Sequence, residues 1–203
     1  MSGLPLVGAV WAALVVAACS IGSPAPRTTT YVIALPPPAA ATTRQPYALR
    51  MGNVRVAPSF AGSALVYRMD DVQFTPDFYH AFIAEPGPML GGLMAEWLDR
   101  TGSFKTVSQP GGAVNAPYVL EAVVTELYGD FRPGHGPAAV MTVQFSLINL
   151  TAASPTIVME RFIARRVELA TAAPDALVRG YGKALGEILT ELSREIAAPV
   201  SAQ

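Results

Sequence analysis

The side chains best suited to chemistry in this sequence are one cysteine and two histidines, and they do not form a recognisable catalytic motif. His80 stands among aromatic residues, and His135 stands in a Pro/Gly-rich turn. No H-E-x-x-H, C-x-x-C or G-x-S-x-G pattern is present, so the usual signatures of zinc, redox and hydrolase chemistry are missing. Acidic residues such as Glu121 and Glu126 are scattered on strand-like segments. We therefore expect no catalytic residue, no metal site and no cofactor, and we predict that the protein is not an enzyme.

Cys19 is the only cysteine, and it follows an uncharged apolar segment from Leu4 to Ala18. A membrane-spanning helix needs about twenty apolar residues, and this segment is shorter. A short apolar segment that ends in small residues is typical of a signal peptide, although its first residues lack the usual Lys or Arg. We predict a signal peptide over residues 1–18, with cleavage between Ala18 and Cys19.

The four residues Val16-Ala17-Ala18-Cys19 resemble the lipobox of bacterial lipoproteins, in which the cysteine is lipidated. The thiol is the one strong nucleophile available to take up a lipid, with fatty acids such as palmitate. Each buried methylene contributes about 0.8 kcal/mol, so several acyl chains can hold a protein at a membrane without a spanning helix. This predicts a periplasmic protein with a lipid anchor at Cys19, and Ser20 favours the outer membrane over the inner one. The alternative is an ordinary secreted protein with one free thiol.

The composition describes a folded chain with no electrostatic preference for a partner. Of its 203 residues, 51% are hydrophobic and 14% are charged, and the net charge is −1. This balance argues against disorder and gives no basic surface for nucleic acid. Residues 19–30, rich in Ser, Pro, Ala and Thr, are expected to form a flexible tether. One domain is predicted over residues 31–197, followed by a tail at 198–203.

Two kinds of periodicity alternate through the domain. Apolar residues at three- and four-residue spacing predict one helix from Pro86 to the glycine at Gly102 and a second helix over residues 175–196. Alternating apolar and polar residues predict strands. The predicted strands cover residues 31–35, 53–56, 65–68, 72–74, 104–107, 118–128, 138–149 and 156–169. We predict an α+β fold with a mostly antiparallel sheet and two main helices packed on one face.

The last predicted strand is less regular than its neighbours. Arg161, Arg165 and Arg166 interrupt its alternation. Either a bulge or a bound surface would explain these charges, and the sequence leaves both open.

The order of these segments resembles the ABC-type transport auxiliary lipoprotein family, the PqiC-like lipoproteins. The likeness begins at the strand Tyr31–Leu35 and continues through Val54-Arg55-Val56 and Leu65-Val66-Tyr67-Arg68. Tyr79-His80-Ala81-Phe82, with Pro86 after it, resembles the family's entry to its first helix. Leu98 to Val107 and Pro117 to Phe131 are similar to later segments of the family, although Pro117 replaces the usual acidic residue.

This resemblance implies a function in transport. Its members are expected to assist lipid transport systems of the MCE type, in which an ABC transporter and an MCE-type substrate-binding protein move apolar molecules across the periplasm. The resemblance therefore implies an accessory lipoprotein that docks on these components and tethers them to a membrane, and it leaves a homo-oligomer open.

An apolar group around the first helix offers a candidate partner surface. The group comprises Phe78, Tyr79, Phe82, Met89 and Trp97, of which Phe82, Met89 and Trp97 are the candidate partner residues. Core packing is the simpler interpretation, and a contiguous exposed patch would favour docking. Two other functions stay open: a lipoprotein that encloses an apolar ligand between sheet and helices, and a periplasmic hydrolase.

Overall fold

The computed structural model describes residues 28–151 and 153–201 of the chain. Eight strands are found in this part of the chain: β1 (Thr29–Tyr31), β2 (Ala48–Val56), β3 (Ala64–Arg68), β4 (Phe74–Phe82), β5 (Thr106–Ser108), β6 (Tyr118–Asp130), β7 (Ala138–Asn149) and β8 (Thr156–Glu168). The helices are α1 (Pro86–Thr101), α2 (Pro174–Ser201) and a short 3-10 turn at Pro58–Phe60. Within these residues, no helix combines the length and the apolar composition needed to cross a bilayer.

Strand β6 is the centre of a single mixed sheet. One of its edges pairs with antiparallel β7 along the whole strand, and β7 pairs in turn with antiparallel β8. Two parallel strands share its other edge: β2 lies beside its first half and β3 beside its last residues. Beyond β2 lies parallel β5, and beyond β3 lie β4 and then parallel β1. The predicted α+β class is confirmed, but the sheet is mixed, with parallel strands that the alternation pattern did not reveal.

Both helices pack on one face of this sheet. Along β7, Ala139, Met141, Val143, Phe145 and Leu147 point to the helices, and they are buried. They form one continuous cluster with apolar residues of both helices, among them Leu90, Met94, Leu98, Leu177, Tyr181, Leu185, Ile188 and Leu192. A regular strand places alternate residues on one face, which is why the sequence predicted this layer correctly.

Element boundaries were predicted best where local signals are strong. Helix α1 begins with Pro86 in its first turn and ends before Gly102, whose φ of 70° is a left-handed cap conformation that glycine adopts without strain. Strand β7 spans residues 138–149, as its alternation predicted. Helix α2 continues to Ser201, beyond the predicted end at Ile196.

One prediction at the β1–β4 edge was wrong, and most of β4 was not predicted. The strand predicted over residues 31–35 ends at Tyr31, because its partner β4 ends at Phe82 and offers no pairing beyond the bond from the Ile83 N–H to the Tyr31 carbonyl. The segment that resembles the family's entry to its first helix, residues 79–82, is the end of β4, and the helix follows at Pro86. This segment is extended because β1 and β3 flank it on both sides, and such long-range pairing leaves no mark in the local pattern.

The irregular charges of β8 are explained by its position at the sheet edge. Arg161 and Arg165 lie on the helix-facing side, where they form ion pairs with Glu195 and Glu191 of α2. Long arginine side chains can cover apolar surface with their stems while their charged ends reach water. Neither a bulge nor a bound surface is therefore needed at these two positions.

Candidate docking and anchoring surfaces

The predicted anchor, Cys19, and the cleavage position at Ala18 lie outside the described residues. The structure does show where the chain that leads from them joins the fold. Thr29 pairs in parallel with His80, so Thr28 enters beside Tyr79. The segment that follows the cysteine therefore reaches the domain at the β1–β4 edge of the sheet.

The three candidate partner residues do not form an exposed surface. Phe82 is 4% exposed and Trp97 is 5% exposed, and both belong to the main core. Met89 is half-buried and packs against the same core. The prediction of a partner surface at Phe82 and Trp97 is therefore corrected, because a side chain sealed in the core cannot be reached by a partner.

Trp97 has a structural contact of its own. Its indole Nε1–H donates a hydrogen bond of 2.9 Å to the carbonyl of Pro36. The contact joins helix α1 to the proline-rich segment after β1, and a buried indole N–H usually finds such an acceptor.

Two exposed aromatic side chains lie in β4, a few residues before Phe82. Phe78 is 82% exposed and Tyr79 is 51% exposed. The pairing of β4 with β3 shifts register here: Ala64 pairs with Ala81, whereas Val66, two residues later, pairs with Pro76. The extra residues of β4 form a bulge, and we call Phe78 and Tyr79 the aromatic bulge.

Asp77 holds the aromatic bulge in place. Its Oδ1 accepts hydrogen bonds from the backbone N–H groups of Tyr79, at 2.7 Å, and His80, at 3.0 Å. Its Oδ2 accepts the Tyr67 hydroxyl proton at 2.5 Å and lies 2.8 Å from Nδ1 of His80. A short aspartate side chain that bonds the backbone two and three residues ahead fixes a local turn.

These contacts stabilise the ionised form of Asp77. Burial alone would raise the pKa of the carboxyl, but the hydrogen bonds from Tyr67, Tyr79 and His80 hold it below its ordinary value. Burial and the bond to Asp77 raise the pKa of the Tyr67 hydroxyl. Asp77 is not among the residues predicted from the sequence, although Pro76-Asp77 before two aromatic residues is a recognisable turn signal.

The sheet face opposite the helices carries a second exposed apolar region. Phe162 is 64% exposed and Ile157 is 58% exposed. Phe162 pairs with Gln144 and Ile157 pairs with Ile148, and these β7 residues point away from the core. We call Phe162 and Ile157, with the sheet around them, the open face.

One end of the open face is covered. Val66, Tyr128 and Val140 form a small cluster there, against which Phe60 of the 3-10 turn packs. Phe74 also contacts Tyr128, with ring centroids 5.2 Å apart. The uncovered part lies toward β8.

A buried carboxylate stabilises the end of β6. The side chain of Asp130 is 3% exposed and accepts hydrogen bonds from Nε and Nη2 of Arg132, at 2.9 and 3.0 Å. A nitrogen of Arg166 lies 3.6 Å away. The bonds from Arg132 lower the pKa of Asp130 to about 2.

The described residues contain no cluster of three or more His, Cys, Asp and Glu side chains that could hold a metal ion. His135 lies in the exposed turn between β6 and β7. A surface cleft of about 350 Å³ lies between α1, α2 and residues 39–43, and its lining includes Trp97, Thr101 and Arg194. Neither histidine, and no carboxylate of the described residues, lines this cleft.

Apolar side chains occupy the space between sheet and helices. Met51, Met94, Met141 and Phe145 are all fully buried within the main cluster. An apolar ligand site would need those side chains to line a cavity, whereas they belong to one continuous cluster of buried apolar residues. This packing weighs against a ligand enclosed at that position.

Comparisons with known structures identify the fold. Protein XCC0632 from Xanthomonas campestris, of the DUF330 family, is similar with a TM-score of 0.77 and 14% identity, over 86% of this chain and 98% of that chain. An uncharacterized protein gives a TM-score of 0.61 at 20% identity, over 84% and 97% of the two chains. The hypothetical protein CT253 from Chlamydia trachomatis gives 0.55 at 10% identity, over 78% and 100%. At such identities these likenesses concern the fold alone.

Comparison with families gives the more specific result. None of the curated proteins compared with the chain matches it. A family model described as "ABC-type transport auxiliary lipoprotein component" matches residues 31–197, which is most of the chain. The chain therefore belongs to the family of ABC-type transport auxiliary lipoprotein components.

Proposed function

We propose that this protein is a lipid-anchored periplasmic accessory subunit of an MCE/ABC-type system that transports lipids or other apolar molecules. It acts by docking and tethering and carries out no catalysis. The observation that carries the proposal is the family match over residues 31–197, a family of auxiliary lipoproteins of ABC-type transport. The exposed apolar side chains of Phe162 and Ile157 support a role in binding a partner.

The tethering role is assigned to Cys19. After cleavage behind Ala18, acyl chains on this cysteine would hold the domain at a membrane, and Ser20 favours the outer one. The nine residues between Cys19 and Thr29 limit the domain to about 35 Å from the lipid surface.

The docking role is assigned to the open face. Both helices pack on the other side of the sheet, so Phe162 and Ile157 remain accessible. Protein interfaces combine an apolar centre with a polar rim, and here Glu160 and Arg166 of the same strand lie around the two apolar side chains. A protein component of the transport system is the proposed occupant.

The anchor is tested with Cys19→Ala and metabolic labelling by fatty acids. We expect the native chain to be labelled and to fractionate with membranes, and the variant to lose both properties. A variant that still takes up label and still fractionates with membranes would show that Cys19 is not the anchor.

The partner is tested by affinity purification from envelope membranes of the native host. We expect identified MCE or ABC components to be recovered with the native chain and several-fold less with Phe162→Asp. Val72→Asp is the matched control, since Val72 is also exposed but lies on the β3–β4 loop. Recovery of no such component, under conditions that preserve other envelope complexes, would exclude the proposal.

A further inference from the structure

The aromatic bulge is solvent-exposed, yet it is firmly held. Phe78 and Tyr79 extend from β4 on a turn fixed by the four contacts of Asp77. A bulge changes the direction in which its side chains point. An aromatic side chain exposed to water loses the stabilisation that burial would give, so an exposed aromatic pair indicates an interaction surface. The fold therefore presents these two rings outward at a defined position.

The chain that leads to the anchor joins the fold beside this bulge. Because β1 and β4 are parallel with Thr29 opposite His80, Thr28 lies beside Tyr79, at the end of β1 that leads toward Cys19. Nine residues separate Cys19 from Thr29, and this segment spans at most about 35 Å even when fully extended. The β1–β4 edge is thus the edge tied most directly to the membrane.

The chemistry of this edge suits a lipid surface. Val32 and Ile83, at the other end of the β1–β4 pair, are also exposed. From Phe74 to Ile83 the one carboxylate is Asp77, whose side chain is 11% exposed and turned toward Tyr67 and His80. Phenylalanine with tyrosine combines an apolar ring with an amphipathic one, and tyrosine is enriched at bilayer interfaces.

We propose that the aromatic bulge of Phe78 and Tyr79 inserts into the lipid surface to which Cys19 tethers the chain, and so orients the domain. This inference rests on the lipid anchor of the proposed function. Because acyl chains already supply attachment, the bulge supplies a fixed orientation that a flexible tether cannot. The orientation holds the β1–β4 edge at the membrane and leaves the open face in the aqueous phase for a partner protein.

The experiment places a fluorophore on the full-length, acylated chain in vesicles of phosphatidylethanolamine and phosphatidylglycerol. Cys19 is the only native cysteine, so Phe78→Cys provides a single free thiol once the native one is acylated. Phe162→Cys is the matched control, because Phe162 is a similarly exposed phenylalanine on the open face. Lipids with a nitroxide on the acyl chain act as the quencher.

We expect the probe at position 78 to shift to shorter wavelength and to be quenched at least twofold more than the probe at position 162. Equal quenching at both positions, on protein that sediments with the vesicles, would overturn the inference and leave the anchor intact. Efficient disulfide cross-linking between two Phe78→Cys chains without lipid quenching would also overturn it, since a second copy would then occupy the bulge.

The contributions of the anchor and of the bulge to membrane binding are distinguished by introducing Cys19→Ala into the labelled Phe78→Cys chain. Release of this chain from vesicles, together with quenching at position 78 in the acylated chain, supports both the anchor and the bulge. Continued sedimentation with quenching at position 78 supports the bulge and counts against the anchor.

Discussion

Phe78 and Phe82 lie on the same strand and are the same residue type, yet their environments are opposite. Phe82 is 4% exposed and its ring lies 6.0 Å from that of Tyr181 in the core, whereas Phe78 is 82% exposed. Residues four apart on a regular strand share a face. The contrast arises because the bulge fixed by Asp77 interrupts the regular alternation between them.

Strand β4 therefore has two parts: its end, which packs in the core, and the aromatic bulge, which is exposed. The end of β4 is held between β1 and β3 and contributes to the core. The bulge contributes little to the core and depends on one carboxylate for its shape. Substitutions on the two sides of this boundary should therefore affect different properties.

The largest effect is expected for Phe82→Ala. Removing a buried phenylalanine loses its burial and leaves a cavity, which costs about 4 kcal/mol of unfolding free energy. Denaturant titration of the variant should show a much lower midpoint with an unchanged slope. A midpoint near that of the native protein would mean that Phe82 is not a core residue in solution.

The next effect concerns the acid sensitivity of two carboxylates, the buried Asp130 and the partly buried Asp77. Hydrogen bonds from Arg132 hold the pKa of Asp130 at about 2, below its ordinary 3.8. The folded state is therefore stabilised above about pH 4, and this contribution, roughly 2 kcal/mol, is lost as the pH falls from 4 to 2. The pKa of Asp77 is also lowered, so its contribution is lost in the same direction.

The measurement is the unfolding free energy of native protein, Asp130→Asn and Asp77→Asn between pH 7 and pH 2. We expect the native protein to lose stability most steeply below pH 4 and Asp130→Asn to show the shallower curve of the two variants. Curves of equal slope for all three proteins would show that neither carboxylate controls acid unfolding.

The sequence predicted the core face of the fold better than its surface features. Alternation along residues 138–149 identified β7, and the glycine at 102 marked the end of α1, because both signals are local. The extended conformation of residues 79–82 depends on strands from distant parts of the chain. Local periodicity carries no information about such partners.

The candidate site shows the same limit. Phe78, Tyr79, Phe82 and Trp97 look alike in the sequence, as large apolar residues near the first helix. The structure buries Phe82 and Trp97 and exposes the other two, and within β4 the difference depends on a register shift against β3. Only Asp77, after Pro76, offered a signal for the turn.

A smaller effect, about 1–2 kcal/mol, is expected for Asp77→Ala. The change leaves the backbone N–H groups of Tyr79 and His80 and the Tyr67 hydroxyl without their shared acceptor. Asp77→Asn keeps one carbonyl oxygen as an acceptor and should cost less. Amide hydrogen exchange at Tyr79 and His80 should rise most in the alanine variant, and unchanged exchange there would contradict the role of Asp77.

The smallest effect on stability is expected for Phe78→Ala, within about 0.5 kcal/mol, because exposed side chains seldom contribute more. The same substitution should reduce lipid contact by the β1–β4 edge, measured with a fluorophore on Ile83→Cys in the acylated chain and nitroxide lipids. If the free energy of unfolding is unchanged and membrane contact is reduced, Phe78 acts in membrane contact and not in folding. If Phe78→Ala instead destabilises the protein as much as Phe82→Ala does, the ring packs against the domain in solution, and the two halves of β4 do not differ as the structure indicates.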